Sequence, residues 1–300
     1  MLKIKNYKNV GLEDYEVSLK DAVKIGRLKE GEKASIMSDV MFRTMFQNES
    51  RIKYSAKLLS YILDMSYEDL LNNMHLSKNI LDKKKRYDKQ ESCDYVVNID
   101  GSYVNIEVNN NSSMEVMERN VEYASRIFSK RVKQGNRYNY QQVIQINLNN
   151  FAYKGNNKII DIYGIQNDEG VKLTKKITFI QIYIPNLRKK CYTSGIERLN
   201  ELERYILALI EPNIEEAKRY IIGDKIMEEY IDESIEVSED ENFGESYDKV
   251  WAIEDQAKRV GKEEGLKEVA SKMLGEKIDV DIIAKTTGLS KEEIKELSIN

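Results

Sequence analysis

The sequence predicts an α/β fold: a central mixed β-sheet flanked by helices, followed by a helical C-terminal region. Three observations carry this. Residues 92–112, SCDYVVNIDGSYVNIEVNNNS, alternate apolar and polar side chains around Asp100-Gly101, the pattern of a two-residue hairpin. Two later segments, QQVIQINLNNFAY and KITFIQIYIPN, also alternate and read as strands. Helical periodicity stands before the hairpin and between it and the third strand, which is the order of an α/β core.

The elements follow in chain order. Residues 1–35 are mixed and polar, with no assignable pattern. SDVMFRTMFQNES is a helix that Ser38 or Asp39 can cap, with Phe42, Met45 and Phe46 on one face. RIKYSAKLLSYIL continues helical, YEDLLNNMHL is a short helix, and LDKKKRYDKQ is a basic connector. The hairpin comes next, then a helix from about Met114 to Gln134 that Gly135 can stop. Pro185 punctuates the end of the last strand. From GIERLNELERYILALIEP onward the chain is helical, and Ser290 with Glu293 forms a capping box for the last helix. The expected division is a core over 1–195, a helical extension over 196–235, an acidic linker over 236–250, and a helical region over 251–300 resembling a helix-turn-helix.

Composition narrows the function. The chain has 300 residues, 41% hydrophobic and 33% charged, enough for one large or two modest domains. One histidine, His75, excludes mechanisms that need two, and argues against a zinc site or a Ser/His triad. Two cysteines without motif spacing, no signal-like N-terminus and no apolar run of membrane length point to the cytoplasm. Residues 1–200 carry 33 Lys and Arg against 24 Asp and Glu, whereas 201–300 carry 14 against 27. This asymmetry fits a polyanion-binding body with an acidic appendage, or simply two differently solvated surfaces.

With Asp100-Gly101 as the loop, Ile99 faces Ser102, Val97 faces Val104, Tyr95 faces Ile106, and Asp94 falls opposite Glu107. Tyr95, Val97, Ile99, Val104, Ile106 and Val108 then share a core face, and Asp94, Asn98, Asn105, Glu107 and Asn109 share a polar face. Opposed residues hold their Cβ atoms roughly 4.5–5.5 Å apart, so two carboxylates there repel unless water or a cation separates them. A hard divalent ion, Mg²⁺ or Mn²⁺, suits such oxygen ligands; an exposed strand face with two solvated acids is the plainer alternative. A retaining-glycosidase pair lacks the aromatic surroundings it needs. On the following helix, Met117, Val121, Ala124 and Phe128 form the expected buried stripe. Arg119, Tyr123, Arg126 and Lys130 repeat the same spacing on another face, which suits a nucleic-acid backbone or a solvated surface.

The aspartate strand CDYVV, the turn, the strand YVNIEVNN, the helix ERNVEYASRIFSKRVKQGNRY and the strand QQVIQINLNNF together resemble the PD-(D/E)XK nuclease superfamily. More narrowly, with SDVMFRTMF before them and EGLKEVASKML and TTGLSKEEIKEL at the end, they are similar to the recombination-promoting nuclease and transposase branch. The resemblance implies a restriction-endonuclease-like core and Mg²⁺- or Mn²⁺-dependent hydrolysis of DNA. It implies that Asp94 and Glu107 bind the metal, that the Val108 carbonyl adds a ligand, and that Asp39, with Glu49 as its rival, is the helix acid. Asn109 stands where the superfamily has lysine and this branch glutamine. Asn109 cannot donate positive charge, so a degenerate relative that binds DNA or a protein without cutting is the second reading. The resemblance also implies substrate contacts by Arg119 and Tyr123. The acidic C-terminal helices suit self-association or docking.

Overall fold

The computed structural model describes residues 15–77, 93, 95–129, 140–221 and 223–297. Their strands are β1 (Val17–Ser18), β2 (Met74–Leu76), β3 (Tyr95–Ile99), β4 (Ser102–Asn109), β5 (Val143–Asn149), β6 (Ala152–Tyr153), β7 (Ile160–Gly164) and β8 (Ile177–Tyr183). Six of them form one sheet in the order β2-β3-β4-β5-β8-β7. The pairs β4·β5 and β5·β8 are parallel and the others antiparallel, so the sheet is mixed, as expected. The short β1 and β6 pair with each other outside it.

Helices α1 (Asp39–Phe46), α2 (Ile52–Leu63) and α3 (Tyr67–Asn73) precede the hairpin. Helix α4 (Met114–Ser129) connects β4 to the region of β5, and α5 (Ile184–Ser194) starts directly at the end of β8. There Pro185 occupies the first helical turn, where its missing N–H costs nothing. Helices α6 (Glu201–Ile210), α7 (Ile214–Arg219) and α8 (Lys225–Glu239) complete the first unit, Met1–Phe243.

Alternation along β3 and β4 buries Tyr95, Val97, Ile99, Val104, Ile106 and Val108 on one face, as the pattern required. Tyr95 is the anchor. Its ring packs against Phe42 and Phe46 of α1, at centroid distances of 6.3 and 5.8 Å, and its hydroxyl lies 2.5 Å from Ser55 Oγ of α2. Burying side chains of this size stabilises by roughly 1.5–3 kcal/mol each. The sheet continues the apolar face with Ile146 and Leu148 on β5 and Ile180 and Ile182 on β8.

Several elements differ from the sequence reading. Met74–Leu76 is an edge strand rather than the end of a helix, because its three residues pair with Val97–Ile99. The strand β7 carries a weak pattern and lies at the opposite edge. The acidic stretch 236–250, within which the boundary of the two units falls, is helical rather than an exposed loop: α8 runs to Glu239, and α9 (Glu241–Gly275) begins two residues later. Phe243 and Tyr247 are buried there, which a solvated loop would not allow.

The second unit is Gly244–Asn300. Within it α9 is followed by α10 (Val280–Thr287) and α11 (Lys291–Glu296). Ala270, Ile283, Leu289 and Ile294 form its small core. Gly288, with φ +76°, ends α10 in the left-handed conformation, and the Ser290–Glu293 capping box starts α11. No helix among the described residues is long and apolar enough to cross a membrane.

Candidate active site

The site is built from a turn. Asp100 and Gly101 both have positive φ, +46° and +84°, the signature of the turn that matches strand twist. Asn98 Oδ1 accepts from the Gly101 N–H at 3.1 Å and closes it. The resulting register pairs Ile99 with Ser102, Val97 with Val104, Val96 with Asn105 and Tyr95 with Ile106, as the sequence spacing predicts. Asp94 lies outside the described residues.

Glu107 therefore projects from the face opposite the Tyr95 anchor. That face is not solvated. Helix α4 covers it, so Glu107 is 1% exposed and Asn105 and Asn109 are equally buried. Asn105 Nδ2 donates to Glu107 Oε1 at 3.0 Å and to Gln145 Oε1 at 2.9 Å. Gln145 Nε2 donates to Asn147 Oδ1 at 2.9 Å. A second run goes from Asn109 Nδ2 to Asn149 Oδ1 at 2.9 Å and from Asn149 Nδ2 to Gln181 Oε1 at 2.8 Å. Parallel pairing places Glu107 beside Asn147 and Asn109 beside Asn149, so these amides stand in rows across three strands. In a low-dielectric interior such a network fixes its members.

Arg119 of α4 closes the site. Its Nη2 lies 3.5 Å from Asn109 Oδ1 and 4.0 Å from Glu107 Oε2. Its guanidinium sits 5.6 Å from the centroid of the Tyr123 ring, and 42% of its side chain stays exposed. One cation thus faces the buried carboxylate on one side and solvent on the other.

The buried stripe of α4 is Met117, Asn120, Tyr123, Ala124 and Ile127. This corrects two expectations. Val121 is exposed, and Tyr123 is only 4% exposed, so its ring serves as the floor under Arg119 rather than as a stacking surface. The helix is rotated because Ala124 and Ile127 pack on Val96, Tyr103 and Val143. Arg126 lies 3.7 Å from Glu122 on its own helix. Lys130 lies outside the described residues.

Asp39 opens α1, half-exposed, with its carboxylate 4.0 Å from Arg43. Asn110 Nδ2 donates to Met37 O at 2.6 Å and so ties this helix start to the residue after β4. The Val108 side chain belongs to the apolar layer, which leaves only its carbonyl for a ligand. Among the described residues no three acidic, histidine or cysteine side chains converge. Glu107 and the amide oxygens are nevertheless the hard oxygen donors a divalent cation takes. Four buried amide atoms on this face, Asn105 Oδ1, Asn147 Nδ2 and both of Asn120, lack a partner among the described residues.

The sequence reading missed Asn120 and the amides of β5 and β8. The signal was present: Gln145, Asn147 and Asn149 alternate on a strand whose other face is apolar, and a strand paired in parallel on both sides is buried on both faces.

Residues 36–261 match the model of the PD-(D/E)XK nuclease family transposase. Residues 263–299 match that of the Rpn/YhgA-like nuclease family, C-terminal HTH domain. No curated protein and no solved structure matches the chain. The first match spans well over half of the sequence and contains the hairpin, the amide rows and α4, so the chain belongs to the PD-(D/E)XK nuclease family transposases.

Proposed function

We propose that this protein is a Mg²⁺- or Mn²⁺-dependent DNA endonuclease that hydrolyses phosphodiester bonds in the cytoplasm. The observation that supports this reading is the buried Glu107 carboxylate with Arg119 at 4.0 Å; the sequence spacing of the hairpin makes Asp94 its expected partner. Asp94, Glu107 and the Val108 carbonyl would hold the cation, with Asp39 at the nearby helix start. When bound, it supplies Lewis-acid polarisation of the phosphate and a lowered pKa for water.

The chain's own residues do the rest. The amide rows hold Glu107 in one orientation, so it is preorganised before substrate arrives. Asn109 is not the missing cation. Its Nδ2 is spent on Asn149, and its Oδ1 receives Arg119. Arg119 then supplies the positive charge that position 109 lacks, aimed at the same place from the next helix. Its bidentate fork suits the phosphoryl oxygens, whose charge grows in the transition state. Arg126, further along α4, and Lys130, by its spacing in the sequence, extend contact to the DNA backbone.

The test is incubation of supercoiled plasmid with purified protein and Mg²⁺ or Mn²⁺. Wild type nicks the plasmid, and Asp94→Ala and Glu107→Ala each lose roughly 10²–10³ in rate or more. Wild-type protein that binds DNA in a salt-sensitive way but never cuts it sinks the endonuclease reading. The second reading, a DNA-binding relative without cleavage, then stands. The amide at position 109 is the feature that favours it.

A further inference from the structure

A cavity of about 350 Å³ lies beyond the ends of β5 and β8, lined by Lys20, Lys154 and Lys189 with Asp21, Tyr153, Pro185 and Asn186. Its place in the fold follows from the sheet. Asn109, Asn149 and Tyr183 stand in one row at the ends of three parallel strands. Pro185, in α5, follows this row by two residues of chain, and Tyr153, in β6, follows it by four, so the cavity opens at the same sheet end as Glu107. Two strand spacings, about 10 Å, separate β4 from β8.

The chemistry of the lining is that of an anion site. Lys154 pairs with Glu16. Lys20 and Lys189 have no ion pair among the described residues, and both are exposed. The first turn of α5 adds Pro185 and Asn186, and no side chain caps that turn. The helix dipole at this start favours negative charge. Tyr153 is 4% exposed, and its hydroxyl has no hydrogen-bond partner among the described residues. At the mouth, Tyr192 is 61% exposed, with the Arg188 guanidinium 5.7 Å from its ring.

We infer that this cavity is a second phosphate subsite, which grips the DNA backbone about two strand spacings from the bond that Glu107 and Arg119 address. The inference rests on the DNA reading above and adds a specific anchor to it. Lys20 and Lys189, set against the one acid of the lining, Asp21, leave a net positive charge, and with an uncapped helix start and the Tyr153 hydroxyl they recognise a phosphodiester by charge and hydrogen bonds, without reading bases.

The test is fluorescence anisotropy of a labelled duplex with EDTA present, so that cleavage plays no part. Lys20→Gln with Lys189→Gln is compared with Lys175→Gln with Lys176→Gln, exposed lysines where β8 begins, at the far end of the sheet. The first pair weakens binding about 10- to 100-fold and lowers the slope of log K against log salt by about two, and the control pair changes neither. An unchanged slope in the first pair, equal losses in both pairs, or wild-type protein that does not bind the duplex overturns the subsite. A poly-glutamate peptide that displaces the duplex at equal charge also overturns it, by assigning the cavity to acidic protein. Wild-type protein that binds with the lysine-dependent slope but never cuts plasmid leaves the subsite standing while the endonuclease reading fails.

Discussion

The two faces of β4 and β5 are both buried, yet they are made of opposite material. One face presents Val104, Ile106, Val108, Ile146 and Leu148 to the helices around Tyr95. The other presents Asn105, Glu107, Asn109, Gln145, Asn147 and Asn149 to α4, each no more than 2% exposed. The apolar face needs no partners, since dispersion and exclusion of water act in every direction. The polar face must satisfy every donor and acceptor, and it leaves four amide atoms unpartnered beside its carboxylate. Unpartnered buried groups cost roughly 1–3 kcal/mol each. A layer kept at that cost fits the chemistry proposed for Glu107; the opposite layer is built for stability.

The sharpest way to break this comparison is a pair of substitutions on opposite faces. Ile146→Ala leaves a cavity in the apolar layer and lowers unfolding free energy by about 2–5 kcal/mol, with cleavage per folded molecule unchanged. Asn120→Leu removes two unpartnered atoms at similar volume and leaves stability within about 1 kcal/mol or higher, while cleavage falls. Urea titrations beside plasmid assays read both. A large stability loss in Asn120→Leu would show that the amide is held structurally, and the contrast between the faces would collapse.

Arg119→Gln comes next. Cleavage falls by about 10², or about 2.7 kcal/mol, mainly in kcat, because the charge acts in the transition state. Adding Asn109→Lys to that variant restores at least part of the rate. A backbone-binding role alone would instead raise KM, and lysine at 109 would rescue nothing.

The smallest effect concerns a charge on the apolar side. Lys33 is fully buried, 5.4 Å from the Tyr230 ring, and its Nζ donates to Leu209 O at 3.4 Å. Burial pushes its pKa down to about 7, against the opposing pull of Glu211. Between pH 7 and the ordinary lysine range, the unfolded chain holds a proton that the folded chain has shed. This contribution to stability therefore rises with pH across that window and is least favourable below it. Lys33→Met is more stable than wild type at pH 6.5, and the gap closes as pH approaches 9.5. Parallel urea midpoints across that range would exclude the effect.

The hairpin register was legible because its determinants are local: a two-residue turn with positive φ and strict alternation on both sides. The mixed sheet and the capped C-terminal helices were legible for the same reason. What escaped the sequence was which polar residues meet water. Alternation separates two faces but does not say whether a helix covers the polar one, so a solvated Glu107 stayed open as the alternative to a cation site until α4 was placed. The rotation of α4 was missed because Val121 fits a helical stripe with Met117 and Ala124 as well as Asn120 does. Contacts of Ala124 and Ile127 with Val143, a residue distant in sequence, decided it. The helical character of 236–250 was hidden by acidic composition, which tertiary burial of Phe243 and Tyr247 overrides.

The turn at Asp100-Gly101 has a consequence for descent. Because side chains exchange faces at every residue, a one-residue insertion there would carry Glu107 to the apolar side and bring Ile106 or Val108 under α4. Length variation at this point should therefore be purged in active lineages. The long connection between β7 and β8 carries no such constraint, since nothing across it must stay in step with the site. Drift in this lineage would accumulate as substitutions at the hairpin and as gains and losses of length elsewhere. A copy with an altered turn length would mark a gene already released from selection for cutting.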